Sequence, residues 1–178
     1  MLKVLGGAAL LIVGALVIVR AFLVNLSVVP QNGMYPTIPA GSFVLSWKQP
    51  YDAIGEVRRG DVVLFERARD GQTYIYVWRV VGLPGDDVVA TGETLKLNGV
   101  QVGREHLRDE GTIAVFRETA GGASYEIAIA RAPREVPPDV EVTVGPDELF
   151  VLGDNRYGAV DSRYFGPIKF STIAGRKL

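Results

Sequence analysis

An unbroken apolar run at the N-terminus constrains this chain more than any other feature. Val4 to Val19 holds only apolar residues and glycine, and after Arg20 the run resumes through Ala21, Phe22, Leu23 and Val24. As one helix of about 21 residues at ~1.5 Å per residue it would span roughly 31 Å, close to the hydrocarbon thickness of a bilayer. A core helix is rarely apolar on every side. A cleaved leader should be shorter and end in a small-x-small site, which "RAFLVNLSVVP" does not offer. Residues 1–25 are therefore expected to form a single transmembrane anchor. Lys3 and the free amino group favour an inside N-terminus; Arg20, whose stem can lie in lipid while its head reaches the headgroups, argues weakly against it. The expected arrangement is a single-pass protein of the cytoplasmic (inner) membrane, with residues 26–178 on the extracytoplasmic side.

The remainder is long enough for one core and too short for two. Nineteen basic and 20 acidic residues give a formal net charge of -1, which lacks the basic surplus of a nucleic-acid binder. There is no cysteine, hence no thiol nucleophile, disulfide or cysteine zinc site. The one histidine, His106, sits among mixed charges in "GREHLRDEG", a solvated turn rather than a metal site. No metal or other cofactor is expected.

After the anchor the pattern is β. "FVLSW", "DVVLFE", "TYIYVWRVV", "YEIAIA" and "ELFVLG" are short runs rich in β-branched and aromatic residues. Asn98-Gly99 between alternating apolar residues in "LKLNGVQV" predicts a two-residue hairpin turn. No helical periodicity of ten residues follows the anchor. The expected fold is mainly β: an antiparallel folded-sheet or barrel-like domain behind one N-terminal transmembrane helix. Residues 104–139 are charged and rich in Gly and Pro, and read as an insertion or small subsheet. The segment "VPQNGMYPTIPAGSFVL", Val29 to Leu45, has too many glycines and prolines for a helix interior or a central strand. It should hold something in place.

Four blocks stand in order: "GMYPT" at Gly33–Thr37, "RRGDVVLF" at Arg58–Phe65, "WRVVGLPGD" at Trp78–Asp86, and "GDNRYGAVDSR" at Gly153–Arg163. Singly they are ordinary turn chemistry. Together, behind an apolar N-terminus, they resemble the type I signal peptidases, and the resemblance extends over essentially the whole chain. It implies a β-fold catalytic domain at the outer membrane face that cuts signal peptides from exported proteins with a serine-lysine dyad. It also implies a peptide cleft including Asn32, Met34, Pro84 and Gly85, and bracing ion pairs joining Arg79 to Asp154 and Asp161 to Arg163.

Against that pattern the sequence departs at the four positions that carry chemistry. The nucleophile position is Gly33 and the general-base position is Trp78, whose indole N–H is a donor only. The position that orients the lysine is Ala159, and the oxyanion hydroxyl is replaced by Gln31. The expectation is a signal-peptidase-like protein that has lost catalysis and works by binding exported preproteins, surface-assembling proteins or an active signal peptidase. The alternative is a working serine-type endopeptidase with a different dyad drawn from Thr37, Ser42, Ser46, Lys48 or His106, which needs two groups within about 3 Å. Because nucleophile and base face each other in such a site, the Trp78 ring is expected to lie against Gly33.

Overall fold

The computed structural model describes residues 23–92 and 94–178. The anchor expected over residues 1–25 lies, but for its last residues, outside them. Val24 and Asn25, assigned by sequence to the end of that anchor, instead belong to a strand, β1 (Val24–Val28). It pairs antiparallel with β2 (Phe43–Lys48), so backbone groups that a helix would satisfy locally are satisfied by a ladder. Among the described residues no helix is long and apolar enough to cross a membrane.

The chain continues through β3 (Val62–Arg69), β4 (Gln72–Gly82), β5 (Asp87–Ala90), β6 (Leu95–Leu97), β7 (Val100–Gln101), β8 (Gly103–Glu110), β9 (Ile113–Ala120), β10 (Ala123–Ala130), β11 (Val140–Thr143) and β12 (Glu148–Leu152). A one-turn helix α1 (Ser162–Phe165), β13 (Ile168–Lys169) and β14 (Ile173–Lys177) complete it. A seven-stranded sheet has the order β1-β2-β14-β3-β4-β12-β13, and a four-stranded one β11-β5-β6-β7. The third sheet, β10-β9-β8, is built from residues inside the segment 104–139 and the glycine before it. Among the described residues every strand pair is antiparallel. The Asn98-Gly99 turn is present, with both residues at positive φ (53° and 78°) and Leu97 opposite Val100.

Strand period explains why two cores form. Along β12, Leu149 and Val151 fill one cluster with Trp78, Val80 and Phe65, while Phe150 and Leu152 fill the other with Val81, Val88 and Ile127. A strand buried on both faces reads as a continuous apolar run, and "ELFVL" is one. β1 and β2 are different. Their facing pairs Leu26–Leu45 and Val28–Phe43 are exposed, Phe43 to 70%.

The third sheet is fastened to the first by a buried carboxylate. Glu118 on β9 is fully buried. It accepts hydrogen bonds from Arg104 Nε (2.9 Å), from Tyr125 Oη (2.9 Å) and from Arg156 Nη2. Burial alone would raise the carboxyl's pKa, but the charges and donors of Arg156 and Arg104 outweigh it and hold Glu118 below its ordinary 4.5. A depressed folded-state pKa contributes stability that is fully present at neutral pH and lost as pH falls below the ordinary value. Unfolding free energy is therefore expected to fall as pH drops below about 4.5. Glu118→Gln leaves two guanidiniums without their counter-charge. It should destabilise the domain at neutral pH by roughly 3–5 kcal/mol and flatten the acid limb, as read by denaturant unfolding across that pH range.

Candidate functional site

Three segments converge at Gly33. The first is the turn that contains it, in which Met34 is fully buried and Ile38 N–H donates to Met34 O (2.8 Å). The second is the middle of β4, where Trp78 lies opposite Val63 of β3. The third is the loop after β12, where Asn155 N–H donates to Gly33 O (3.0 Å) and Asn155 Nδ2 to Asn32 O (3.2 Å).

The Trp78 ring lies against Gly33, as expected. A Cβ built on Gly33 would sit 2.6 Å from Trp78 Cζ3 and closer still to Cη2. Gly33 does not have a positive φ, so its backbone would accept a side chain. The indole is what forbids one. Ala159 joins the same floor: a Cβ on Gly153 would collide with the Ala159 methyl, meet Gly33 O at 2.6 Å and Trp78 Cζ3 at 3.1 Å. Trp78 is 5% exposed and its Nε1 has no hydrogen-bond partner among the described residues.

Beside this floor opens a groove of about 410 Å³, lined by Gln31, Gly33, Met34 and Trp78 together with Val29, Pro30, Val77, Val160 and the outer part of β4. One wall is a strand edge. β4 pairs with β3 along residues 72–79, but its other neighbour, β12, reaches only Arg79, Val80 and Gly82. Residues 72–78 thus have one edge without a strand partner among the described residues.

The expected bracing pairs are both present. Arg79 Nε and Nη2 donate to the two carboxylate oxygens of Asp154 (2.8 and 2.7 Å), Nη1 donates to Gly60 O (2.7 Å), and Nη2 also reaches Thr37 Oγ1 (3.1 Å). Burial alone would lower the Arg79 pKa, but the Asp154 hydrogen bonds and charge outweigh it and leave the guanidinium above its ordinary value. Arg163 Nε and Nη2 donate to Asp161 (2.9 and 2.7 Å), whose carboxylate also accepts from Gly153 N–H (2.9 Å) and the Arg163 N–H at the start of α1 (3.2 Å).

Of the cleft residues inferred by resemblance, the structure brings Met34 to the groove but not the other three. Asn32 turns its Oδ1 onto Ala40 N–H (3.0 Å) and braces its own turn. Pro84 lies past the end of β4 and does not line the groove. Gly85, at φ 84°, donates its N–H to Val144 O (2.9 Å) and closes the turn into β5. None of Thr37, Ser42, Ser46, Lys48 and His106 lines the groove. Thr37 accepts from Arg79, Ser46 faces Asn25 O, and His106 pairs with Asp109 on the third sheet. Sequence reasoning missed the walls contributed by Tyr74, Tyr76, Val77 and Val160. For the three on β4 the available signal was Asp70-Gly71, a hairpin turn that marks where that strand begins; Val160, in the loop after β12, had none.

An antiparallel β protein whose turns close over a groove beside a strand edge unpaired among the described residues is the class defined so far. Residues 2–178 match the family described as signal peptidase, peptidase S26, and the chain belongs to that family. It is 33% identical over 168 residues to signal peptidase I of Pseudomonas aeruginosa, covering 85% of this chain and 59% of that protein. It is 33% identical over 157 residues to signal peptidase I of Bacillus caldolyticus, covering 88% and 79%. A crystal structure of a signal peptidase I from Enterococcus faecalis V583 matches at 27% identity and a TM-score of 0.42, over 70% of this chain and 98% of that one.

The packing of Trp78 on Gly33 sets a stability test. Gly33→Ala should destabilise the chain by about 1–3 kcal/mol through overpacking. In a Trp78→Leu background the same change should cost much less. A double-mutant cycle of denaturant midpoints checks this; additive effects would mean the two positions do not share space.

Proposed function

We propose that this chain is a signal-peptidase-like binding protein without peptidase activity, in which the apolar run that ends before β1 anchors a domain beginning at Val24 on the extracytoplasmic side of the membrane. Its ligands in this reading are extended segments of exported or surface-assembling proteins. One observation carries the reading: the indole of Trp78 occupies the space against Gly33 where a nucleophile and its base would have to meet. Gly33 offers no nucleophile and Trp78 no proton acceptor. Loss of a nucleophile or base lowers turnover by on the order of 10⁶.

Binding has separate support. The edge of β4 over residues 72–78, unpaired among the described residues, and the Val29–Gln31 segment flank one groove. An added strand would gain main-chain hydrogen bonds there and place alternate side chains in the groove. Neither gain needs a catalytic group. The rival reading, an active peptidase with another dyad, finds no serine, threonine, lysine or histidine among the groove-lining residues.

Incubating the purified chain with a preprotein should yield no product cut after a small-x-small site, and serine-directed acylating reagents should leave the chain unmodified. Specific cleavage abolished by changing one nearby Ser or Thr would establish the rival. Gly33→Ser with Trp78→Lys supplies both reactive groups yet leaves Ala159 unable to orient the amine. Because such sites need positioning within about 0.5 Å, this double variant should show little or no turnover until Ala159→Ser is added. Single-turnover assays of the double and triple variants compare the two.

A further inference from the structure

We propose that Asn32-Gly33 is a site of spontaneous backbone modification. Gly33 N attacks the side-chain amide of Asn32, and the turn passes through a succinimide to an aspartyl or isoaspartyl link. The chemistry belongs to the turn itself and needs neither peptide binding nor peptidase activity.

Such a reaction requires an asparagine followed by an unshielded main-chain nitrogen, and glycine, which has no Cβ, shields its nitrogen least. The chain has two pairs of this kind, Asn32-Gly33 and Asn98-Gly99, so each serves as the reference for the other. At the first, Gly33 N gives up its proton and bonds to Asn32 Cγ, and the Cγ–Nδ2 bond breaks as ammonia leaves. Water then opens the five-membered ring. Opening at Cγ leaves an ordinary aspartyl link. Opening at the former backbone carbonyl leaves an isoaspartyl link, one methylene longer.

The two asparagines are held differently. Asn98 has its amide tied at both ends: Oδ1 accepts from Asp87 N–H (2.8 Å) and Nδ2 donates to Asp86 Oδ1 (2.8 Å). The second of these bonds is charge-assisted, and it must break before the nitrogen can leave. Asn32 is exposed and tied at one end only. Its Oδ1 accepts from Ala40 N–H (3.0 Å), while Nδ2 has no hydrogen-bond partner among the described residues. Negative charge collects on that oxygen as the tetrahedral adduct forms, so the Ala40 donor favours the attack.

The attacking nitrogen is open as well. The turn is held through its carbonyls: Asn32 O accepts from Tyr35 N–H (3.2 Å) and Asn155 Nδ2 (3.2 Å), and Gly33 O accepts from Asn155 N–H (3.0 Å). Gly33 N–H donates to no group among the described residues. A side chain at position 33 would shield this nitrogen, and the Trp78 ring excludes one. The packing that removes a nucleophile's side chain thus leaves an Asn-Gly pair in its place. Its product sets a carboxylate between Gln31 and Gly33, both of which line the groove. In the isoaspartyl form Asn32 O leaves the main chain as part of that carboxylate, so Asn155 no longer holds two successive backbone carbonyls.

The full chain is aged in detergent in mildly alkaline buffer and digested. Each asparagine is then read by mass spectrometry, with aspartyl and isoaspartyl peptides separated by elution. In the folded chain Asn32 should convert at least ~10-fold faster than Asn98, the ratio expected when one charge-assisted bond must break first, and should yield both isomers. In chain held unfolded in guanidinium the two sites should convert at similar rates, because folding alone separates them. In a Trp78→Leu background, Gly33→Ala should slow Asn32 and leave Asn98 as it was. Equal or faster conversion of Asn98 in the folded chain overturns the assignment. An aspartyl product alone at Asn32 also overturns it, since direct hydrolysis of the amide makes no isoaspartate. Conversion of Asn32 only after unfolding would show that the turn protects the pair, and the proposal fails.

Discussion

The Arg79–Asp154 pair is the constraint on which the site depends. Arg79 is buried on β4, Asp154 on the loop after β12, and the guanidinium meets the carboxylate in a two-point fork. The remaining donors reach Gly60 O and Thr37 Oγ1, while the guanidinium lies over the Tyr125 ring at 4.3 Å. One side chain thus fixes the relative positions of the Met34 turn, the Gly60 turn, the Asp154 loop and β10. Lysine has the charge but not the planar fork, and could satisfy at most part of this set. Paired burial of this kind adds little net stability against an apolar alternative, yet strands a charge if one member is lost. Its contribution is to position.

Through Asp154 the constraint passes to the third sheet. Asp154 O accepts from Ala128 N–H on β10 (2.8 Å), Ala128 O accepts from Arg156 N–H (2.9 Å), and the Arg156 side chain ends on Glu118. At the other end of this sheet Tyr35 Oη donates to Glu110. Residues 103–130 therefore do more than decorate the domain: they hold both the loop that binds Gly33 O and the turn that contains it. A segment that reads in sequence as an insertion is part of the frame of the site.

How much of this was legible follows from the range of each interaction. Asn98-Gly99 was readable because a hairpin turn is set by two adjacent residues. Arg79–Asp154 and the contact of Trp78 with Gly33 were reachable only through family resemblance, since nothing local links residues so far apart in the chain. β1 was hidden because its apolar residues continue the N-terminal run, and a strand and a helix of similar composition cannot be told apart by apolarity alone. Pro84 and Gly85 were placed in the cleft by the resemblance, but they lie past the end of β4 in the turn that Gly85 N–H closes on Val144 O. Glu118 carried no signal at all. A single acidic residue in a strand is ordinarily solvated, and only the tertiary fold brings two arginines and a tyrosine to it.

The manner of attachment explains how chemistry and frame can vary separately. Gly33 is held through its backbone, by the Asn155 N–H on its carbonyl. Gln31 is exposed, Ala159 contributes a methyl to the floor, and Trp78 makes no hydrogen bond among the described residues through its side chain. None of these four side chains belongs to the ion-pair network. Their identities can change without unpairing a buried charge, provided the volumes stay matched, and a missing side chain at Gly33 against a large ring at Trp78 is such a match. Arg79, Asp154, Asp161 and Arg163 have no such freedom, because each leaves a buried, charged partner behind. A domain built this way can lose a reactive constellation and still keep the turn, the groove and the open strand edge in register.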